Sequence, residues 1–523
     1  MAAGEMPALA ELARRSARFR LDYGPAQRTG LAWEHVASGL SPDAGRRWSA
    51  VEFDPAGYSA WQEGARFVPW WSALDRRVVV FDAPYVDLRL APNTRGIVGW
   101  GAHDPGIAPG GCPAELLTEF ERRFGRYPSP EWTYGQPFPS TSRTRAMGEG
   151  LCKALDVRTQ AARWLMTEGL ADWELFLAVA GEAHGAIEGL WHGLDASHPY
   201  HAHPSSPAAN QALVDIHRSL DRMLGELVSA GAGASVVAFT MGGMGPNHSD
   251  VSSMILLPEL LYRQAFGQPL LTVPSEWTSA PATVPVPGED ERWFAPDRAW
   301  VPMPPKTPEP PVSGTLRSLA RGLPRPVRTA LKAVRAAAAR RRAAGPARPE
   351  LDLHWQPALR YRNHWPRMPA FALPSFYDGR IRINLRGRER QGIVDPSRYA
   401  QTCAELETLL RECRNPRTGE PVVDSFERAS TPDPLAISPS DADVIVIWRG
   451  IVAALEHPRL GLIGPVPLRR TGGHTGPHGM AYVMSAGVEP GDRGVRSSFD
   501  VVPTIATLLD ERVPAGTSGE SLL

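Results

Sequence analysis

The chain runs to 523 residues with 43% hydrophobic content, too long for one ordinary core and apolar enough to bury a large interior. Lys plus Arg and Asp plus Glu are equal at 56 each, so no global field draws the protein to nucleic acid or to an anionic membrane. Cys112, Cys152, Cys403 and Cys413 are scattered without metal-ligand spacing, which argues for reduced thiols and against a disulfide framework.

The opening stretch MAAGEMPALAELARRSARF lacks an apolar core of signal-peptide length, and nothing later approaches about 18 apolar residues. A soluble, cytoplasmic protein is therefore expected. Apolar, strand-like runs then alternate with helical patterns: RRVVVFDAP from Arg76, DWELFLAVAG from Asp172 and ASVVAFTMG from Ala234. NQALVDIHRSLDRMLGELVSAG carries apolar residues at helical spacing and ends on glycine, so strands separated by helices predict βαβ units. VPMPPKTPEPPVSG, from Val301, can hold neither a helix nor a central strand, because its prolines remove donors and fix φ. The basic stretch that follows predicts an exposed helical insertion, or a peripheral membrane or protein contact through residues 314–348. Beyond it, GRIRINLRGRERQGIV alternates in strand fashion with Ile381, Ile383 and Leu385 on one side, and DADVIVIWRG reads as a buried strand. The chain thus divides into a first part of an α/β core (1–300), a Pro-rich linker with a basic insertion (301–350), and a second part of the core (351–523).

SVVAFTMGGMGPNHSDVSS raises the central question. A strand empties into a turn of Met and Gly that holds no acid, base or nucleophile from Met241 to Pro246. A backbone phosphate cradle is one reading, although the turn lacks the lysine and the fingerprint spacing, and Pro246 removes a donor. Asn247, His248 and Asp250 lie just beyond; they are candidate substrate contacts, or else turn and cap residues for the helix that follows. His192, His198, His201 and His203 form a histidine-rich tract that reads as a metal-binding stretch or a surface loop.

In order along nearly the whole chain, FDAPYVDLRLAPNTRGIVGWGAHDP, DWELFLAVAGEAHGAIEGLWHGLDASHP, VVAFTMGGMGPN, GRIRINLRGRERQGIV and SFDVVPTIATLLD resemble the alkaline phosphatase superfamily, in its type I phosphodiesterase/nucleotide pyrophosphatase-like branch. The resemblance implies an α/β fold with an alkaline phosphatase-like, mostly parallel sheet flanked by helices. It also implies a pair of metal ions, usually zinc, held by Asp and His, with a Thr or Ser nucleophile between them that is transiently phosphorylated.

Carried over residue by residue, the resemblance puts Thr29 of RTGLAWEHVASGLSPDAG in the nucleophile slot, with Trp33, Ser38, Gly39 and Pro42 in register; a helix N-cap is the alternative for Thr29. His184 and Glu188 of GEAHGAIEGLW fall on two metal-ligand positions, at a spacing that shares one helix face, where an exposed His–Glu pair is the alternative. His474 of RTGGHTGPHGM falls on the last metal histidine, with His478 as a rival. Met241 and Gly242 occupy an Asp–His slot that neither side chain can fill, and the strand expected to supply a further Asp is not found in the sequence as it starts at MAAGEMPALAEL, so either the start lies further upstream or this copy lacks that strand. The expected function is therefore a phosphoester (phosphodiester, pyrophosphate or related sulfuryl ester) hydrolase or transferase with a reorganised site, holding one zinc or other divalent metal at His184, Glu188 and His474. Its substrate would be a small-molecule phospho- or sulfo-ester, with no nucleotide cofactor and no nucleic acid. The alternative is a catalytically inactive pseudoenzyme serving as a binding or scaffold module.

Overall fold

The computed structural model describes residues 4–101, 108–133, 140–286, 350–429 and 433–523, apart from 352, 354 and 437–439. The Pro-rich and basic segment expected over 301–350, with the contact assigned to 314–348, falls outside the described residues but for its last residue, Glu350.

Helix α1 (Pro7–Arg15) has a proline in its first turn, where a missing N–H costs nothing, and two arginines in its last. It is followed by β1 (Ala17–Asp22), α2 (Ala32–Ser38), the short α3 (Pro42–Gly45) and the hairpin β2 (Val51–Asp54) and β3 (Ser59–Glu63). Next come β4 (Val78–Phe81), β5 (Thr94–Val98), β6 (Gly110–Cys112), α4 (Ala114–Phe124), α5 (Thr141–Trp164), β7 (Leu175–Ala178), α6 (Glu182–Leu190) and α7 (Ser206–Ala230). The first part closes with β8 (Val236–Thr240), β9 (Gly243–Pro246), α8 (Leu257–Phe266) and α9 (Ser275–Thr278). The second part holds β10 (Glu350–Leu351), β11 (Ala370–Leu373), β12 (Gly379–Ile383), α10 (Tyr399–Arg411), β13 (Val423–Arg428) and β14 (Val444–Trp448). It ends with β15 (Leu455–His457), β16 (Gly461–Ile463), β17 (Gly472–Gly476), β18 (Gly479–Met484), β19 (Gly491–Ser497) and α11 (Val501–Leu508).

The architecture is mixed α/β. Two sheets, ordered β19-β1-β18-β8 and β6-β5-β4-β7, form the central layer. Parallel pairing joins β4 to β5 and β7, and β1 to β19; the other named pairings among the described residues are antiparallel. Several of the antiparallel pairs join distant parts of the chain: β18 of the second part pairs with β1 and β8 of the first, and β17 pairs with β9. One core unites Val78, Val80, Leu177, Phe19 and Val483 of these sheets with Val501, Val502 and Ile505 of α11. On the opposite face Val79, Phe81 and Ile97 pack with Ala161 and Trp164 of α5. A separate core buries α8 and α10 against the antiparallel sheet β11-β12-β14-β13. Ile381, Ile383 and Leu385 lie in it as expected, but Arg380 and Arg382, which alternate with them, are buried too. Arg382 ends on Glu389 at 2.7 Å and on the Asp441 carbonyl at 2.7 Å, so the basic half of the alternation is an internal charge network.

The carboxyl ends of β4, β5 and β7 are tied together by one guanidinium. Asp82, just past β4 and at φ 59°, accepts the Trp100 and Gly101 N–H groups, each at 2.8 Å. Arg158 of α5 donates to Asp82 at 2.8 Å, to Glu182 at 2.8 Å and to the Val179 carbonyl at 2.9 Å, with all three side chains buried. Because Glu182 opens α6, this cluster fixes where that helix starts. Arg158→Met leaves two buried carboxylates without their cation and should cost about 3–5 kcal/mol, seen in urea unfolding as a lower midpoint at unchanged slope.

Candidate metal centre

Helix α6 and strand β17 build the site. Helical spacing puts His184 and Glu188 on one face of α6, and β17 presses against that helix: a Cβ on Gly472 would stand 2.2 Å from the Ile187 carbonyl oxygen. The approach brings His474 to the pair. His184 Nε2 and His474 Nε2 are 2.9 Å apart, and His184 Nε2 is 3.7 Å from Glu188 Oε1. One ligand atom from each of the three lies within 4.8 Å of the others, with Glu188 buried and both imidazoles half-buried. Tyr377, from the connection between β11 and β12, stands edge-on to His474 with ring centroids 4.6 Å apart.

The Met–Gly turn is tied to the same strand. It enters β9, which pairs antiparallel with β17, Gly473 opposite Gly245 and Gly476 opposite Gly243. A Cβ on Gly243 would lie 2.7 Å from the His478 carbonyl oxygen, and one on Gly476 would lie 2.5 Å from the Met244 nitrogen. The glycines thus let two backbones approach too closely for side chains, which makes the stretch a β-ribbon. Gln27 clamps it, its amide donating to the carbonyls of His474 at 2.7 Å, Gly476 at 3.1 Å and Gly243 at 3.2 Å.

Charge around the cluster is paired. Arg470 donates to Glu188 Oε1 through Nη1, and grips Asp250 side-on through Nε at 2.7 Å and Nη2 at 2.9 Å. Arg469 adds a third bond to Asp250 at 2.8 Å. Burial pulls Arg470 down to about 9, so it stays charged at neutral pH.

The other sequence-predicted positions fall as follows. Thr29 precedes α2 and is 3% exposed; its hydroxyl donates to the Ala26 carbonyl at 2.8 Å and accepts the Leu31 N–H at 3.2 Å. Its neighbour Gly30 meets the Tyr377 ring, where a Cβ would stand at 3.3 Å, so Thr29 sits near the aromatic that faces His474. The Asn247 side chain accepts the N–H groups of Ser249 at 3.1 Å and Asp250 at 3.0 Å, and donates to the Gly472 carbonyl at 3.2 Å. His248 is half-buried, and burial lowers its pKa. Met241 is buried among Tyr23, Ala26 and Val36. In the histidine tract, His192 and His203 share the Ser205 hydroxyl at 3.1 and 2.9 Å, and His201 bonds the His192 carbonyl at 2.8 Å. Arg469, Arg470, Gln27 and Tyr377 were not singled out by sequence, although the Arg469–Arg470 pair directly preceding TGGH is a visible charge signal.

Fold and site together describe a mixed α/β protein with a candidate single-ion centre. No family model matches the sequence, and no curated protein matches it significantly. Among solved structures the chain is similar to phosphonoacetate hydrolase from Sinorhizobium meliloti 1021 in complex with phosphonoformate, at 14% identity and a TM-score of 0.47, covering 97% of this chain and 90% of that one. It is likewise similar to wild-type alkaline phosphatase PafA (11% identity, TM-score 0.47, 98% and 92% covered). A third similarity is to murine ectonucleotide pyrophosphatase/phosphodiesterase 5 (8% identity, TM-score 0.42, 97% and 91% covered). At these identities the likeness concerns overall architecture.

Beside Met241, His35 is bonded to the Tyr23 hydroxyl, and burial pushes its pKa down to about 3. A folded-state value below the unfolded one stabilises the protein above the unfolded pKa of about 6.5, and that stability is lost as pH falls towards the folded value. Unfolding free energy should therefore decline below about pH 6.5, and His35→Gln should remove up to about 1.4 kcal/mol per pH unit of that slope in urea titrations at pH 7 and 5.

Proposed function

We propose that the chain is a phosphoester hydrolase or transferase working with a single divalent cation, zinc by chemistry of the donor set, held by His184, Glu188 and His474. The observation that carries this reading is the convergence of three ligand side chains from α6 and β17, 290 residues apart for the two histidines. Two imidazoles and a carboxylate are an ordinary catalytic zinc set that leaves a position open. Ligands about 2.0 Å from a tetrahedral ion stand about 3.3 Å from one another; the two separations from His184 Nε2, 2.9 and 3.7 Å, fall either side of that value, and all three ligand atoms lie within 4.8 Å of one another. A cation there would polarise a phosphoryl oxygen and lower the pKa of bound water.

The chain's own groups have distinct tasks in this reading. His184 and His474 present their Nε2 atoms to the same point, Glu188 supplies the negative charge, and Tyr377 shields one side of His474 from water. Thr29 is the proposed nucleophile, with its oxygen steadied by the Leu31 N–H. His248 is the proposed substrate contact of its segment, whereas Asn247 and Asp250 hold the loop itself. The substrate class is a small phosphodiester, pyrophosphate or related sulfuryl ester.

A second reading, a binding module without catalysis, is favoured by the burial of the Thr29 hydroxyl and its bond to the Ala26 carbonyl. Hydrolysis of an aryl phosphodiester, with and without chelator, separates the two. The first reading predicts chelator-sensitive turnover that His184→Ala and His474→Ala abolish, and that Thr29→Ala lowers by at least about a thousandfold while Thr29→Ser retains part of it. Turnover unaffected by Thr29→Ala removes that residue from the mechanism. No turnover under any metal supplement leaves the binding module.

A further inference from the structure

Glu188 has no exposed side-chain surface, so its charge needs a fixed partner in the protein. Arg470 is that partner, and its aim is determined by the rest of its fork. Nε and Nη2 are both taken by the two oxygens of Asp250, which leaves Nη1 directed at Glu188 Oε1. That oxygen is also the one 3.7 Å from His184 Nε2. Asp250 is itself immobilised: Arg469 holds its Oδ2 at 2.8 Å, and its N–H donates to Asn247 at 3.0 Å. Arg469 in turn lies 5.5 Å from the Trp355 ring centroid. The backbone closes the circuit, with the Asn247 N–H on the Thr471 carbonyl at 3.1 Å and the Thr471 N–H on the Glu188 carbonyl at 2.8 Å.

We infer that Arg470 is a positioning residue for the metal centre, aiming Glu188 Oε1 at the point shared with His184 and His474, and that Asp250 is its anchor. This rests on the single-ion reading of the cluster. A carboxylate oxygen has lone pairs for both a guanidinium N–H and a cation, and hydrogen bonds to metal-ligating carboxylates are a usual way of orienting them. Lysine cannot stand in, since one ammonium cannot grip both Asp250 oxygens while pointing a further donor at Glu188.

Cobalt(II) titration of the full chain tests the inference, reading affinity and the visible absorption of the bound ion, with the melting midpoint of each metal-free variant measured alongside. Arg470→Lys should bind cobalt about 10- to 100-fold more weakly than wild type and shift the absorption bands. Asp250→Asn, which keeps Arg470 but loosens its anchor, should move both readouts the same way, and it serves if Arg470→Lys does not fold. Variants with lowered midpoints but wild-type affinity and spectrum overturn the inference, because Arg470 is then structural alone. A wild-type protein that takes up no cobalt overturns the single-ion reading itself, and leaves Arg470 with no ligand to position.

Discussion

A carboxylate with no exposed surface, Glu188, is the constraint around which this region is organised. Its charge is stable in the interior only because cationic and polar partners are built in around it. Arg470 meets it from the segment leading into the strand that carries His474, and the Thr471 N–H meets its carbonyl from the same segment. Helix and strand are therefore locked together by the very residues that flank the candidate ligands. Removing the side chain at Gly472 is what lets the lock close, because any Cβ there would collide with α6.

The Met–Gly turn follows from the same packing. Its glycines serve a backbone-to-backbone ribbon between β9 and β17, and Met241 turns into an apolar cluster with Tyr23, Ala26 and Val36. Where the turn could have carried polar side chains, Met241 instead joins a small hydrophobic cluster. Met241 and Gly242 themselves offer no side chain that could ligate a hard or borderline cation. The three candidate ligands, His184, Glu188 and His474, meet at one point.

Much of this was legible in the sequence where the signal is local. The apolar runs at Arg76, Asp172 and Ala234 became β4, β7 and β8, and the amphipathic pattern from Asn210 lies within α7. His184, Glu188 and His474 were readable from motif register, and the structure brings them together. What stayed hidden depends on distant partners. Arg470 stood at the head of a quoted motif, yet its role is defined by Asp250, 220 residues away, and by Glu188, 282 residues away. The apolar–basic alternation of β12 could not announce that Arg382 is buried, because Glu389 and Asp441 reach it only in the fold. Nor does glycine content distinguish a cradle for phosphate from a close pairing of strands, since both need the same missing side chain.

The central claim is that one divalent cation belongs to His184, Glu188 and His474. Elemental analysis of the purified, extensively dialysed full chain tests it most directly. The account predicts about one equivalent of zinc or another divalent metal per chain, lost in His474→Ala. Less than roughly a tenth of an equivalent in the wild-type protein, before and after zinc supplementation, would contradict it.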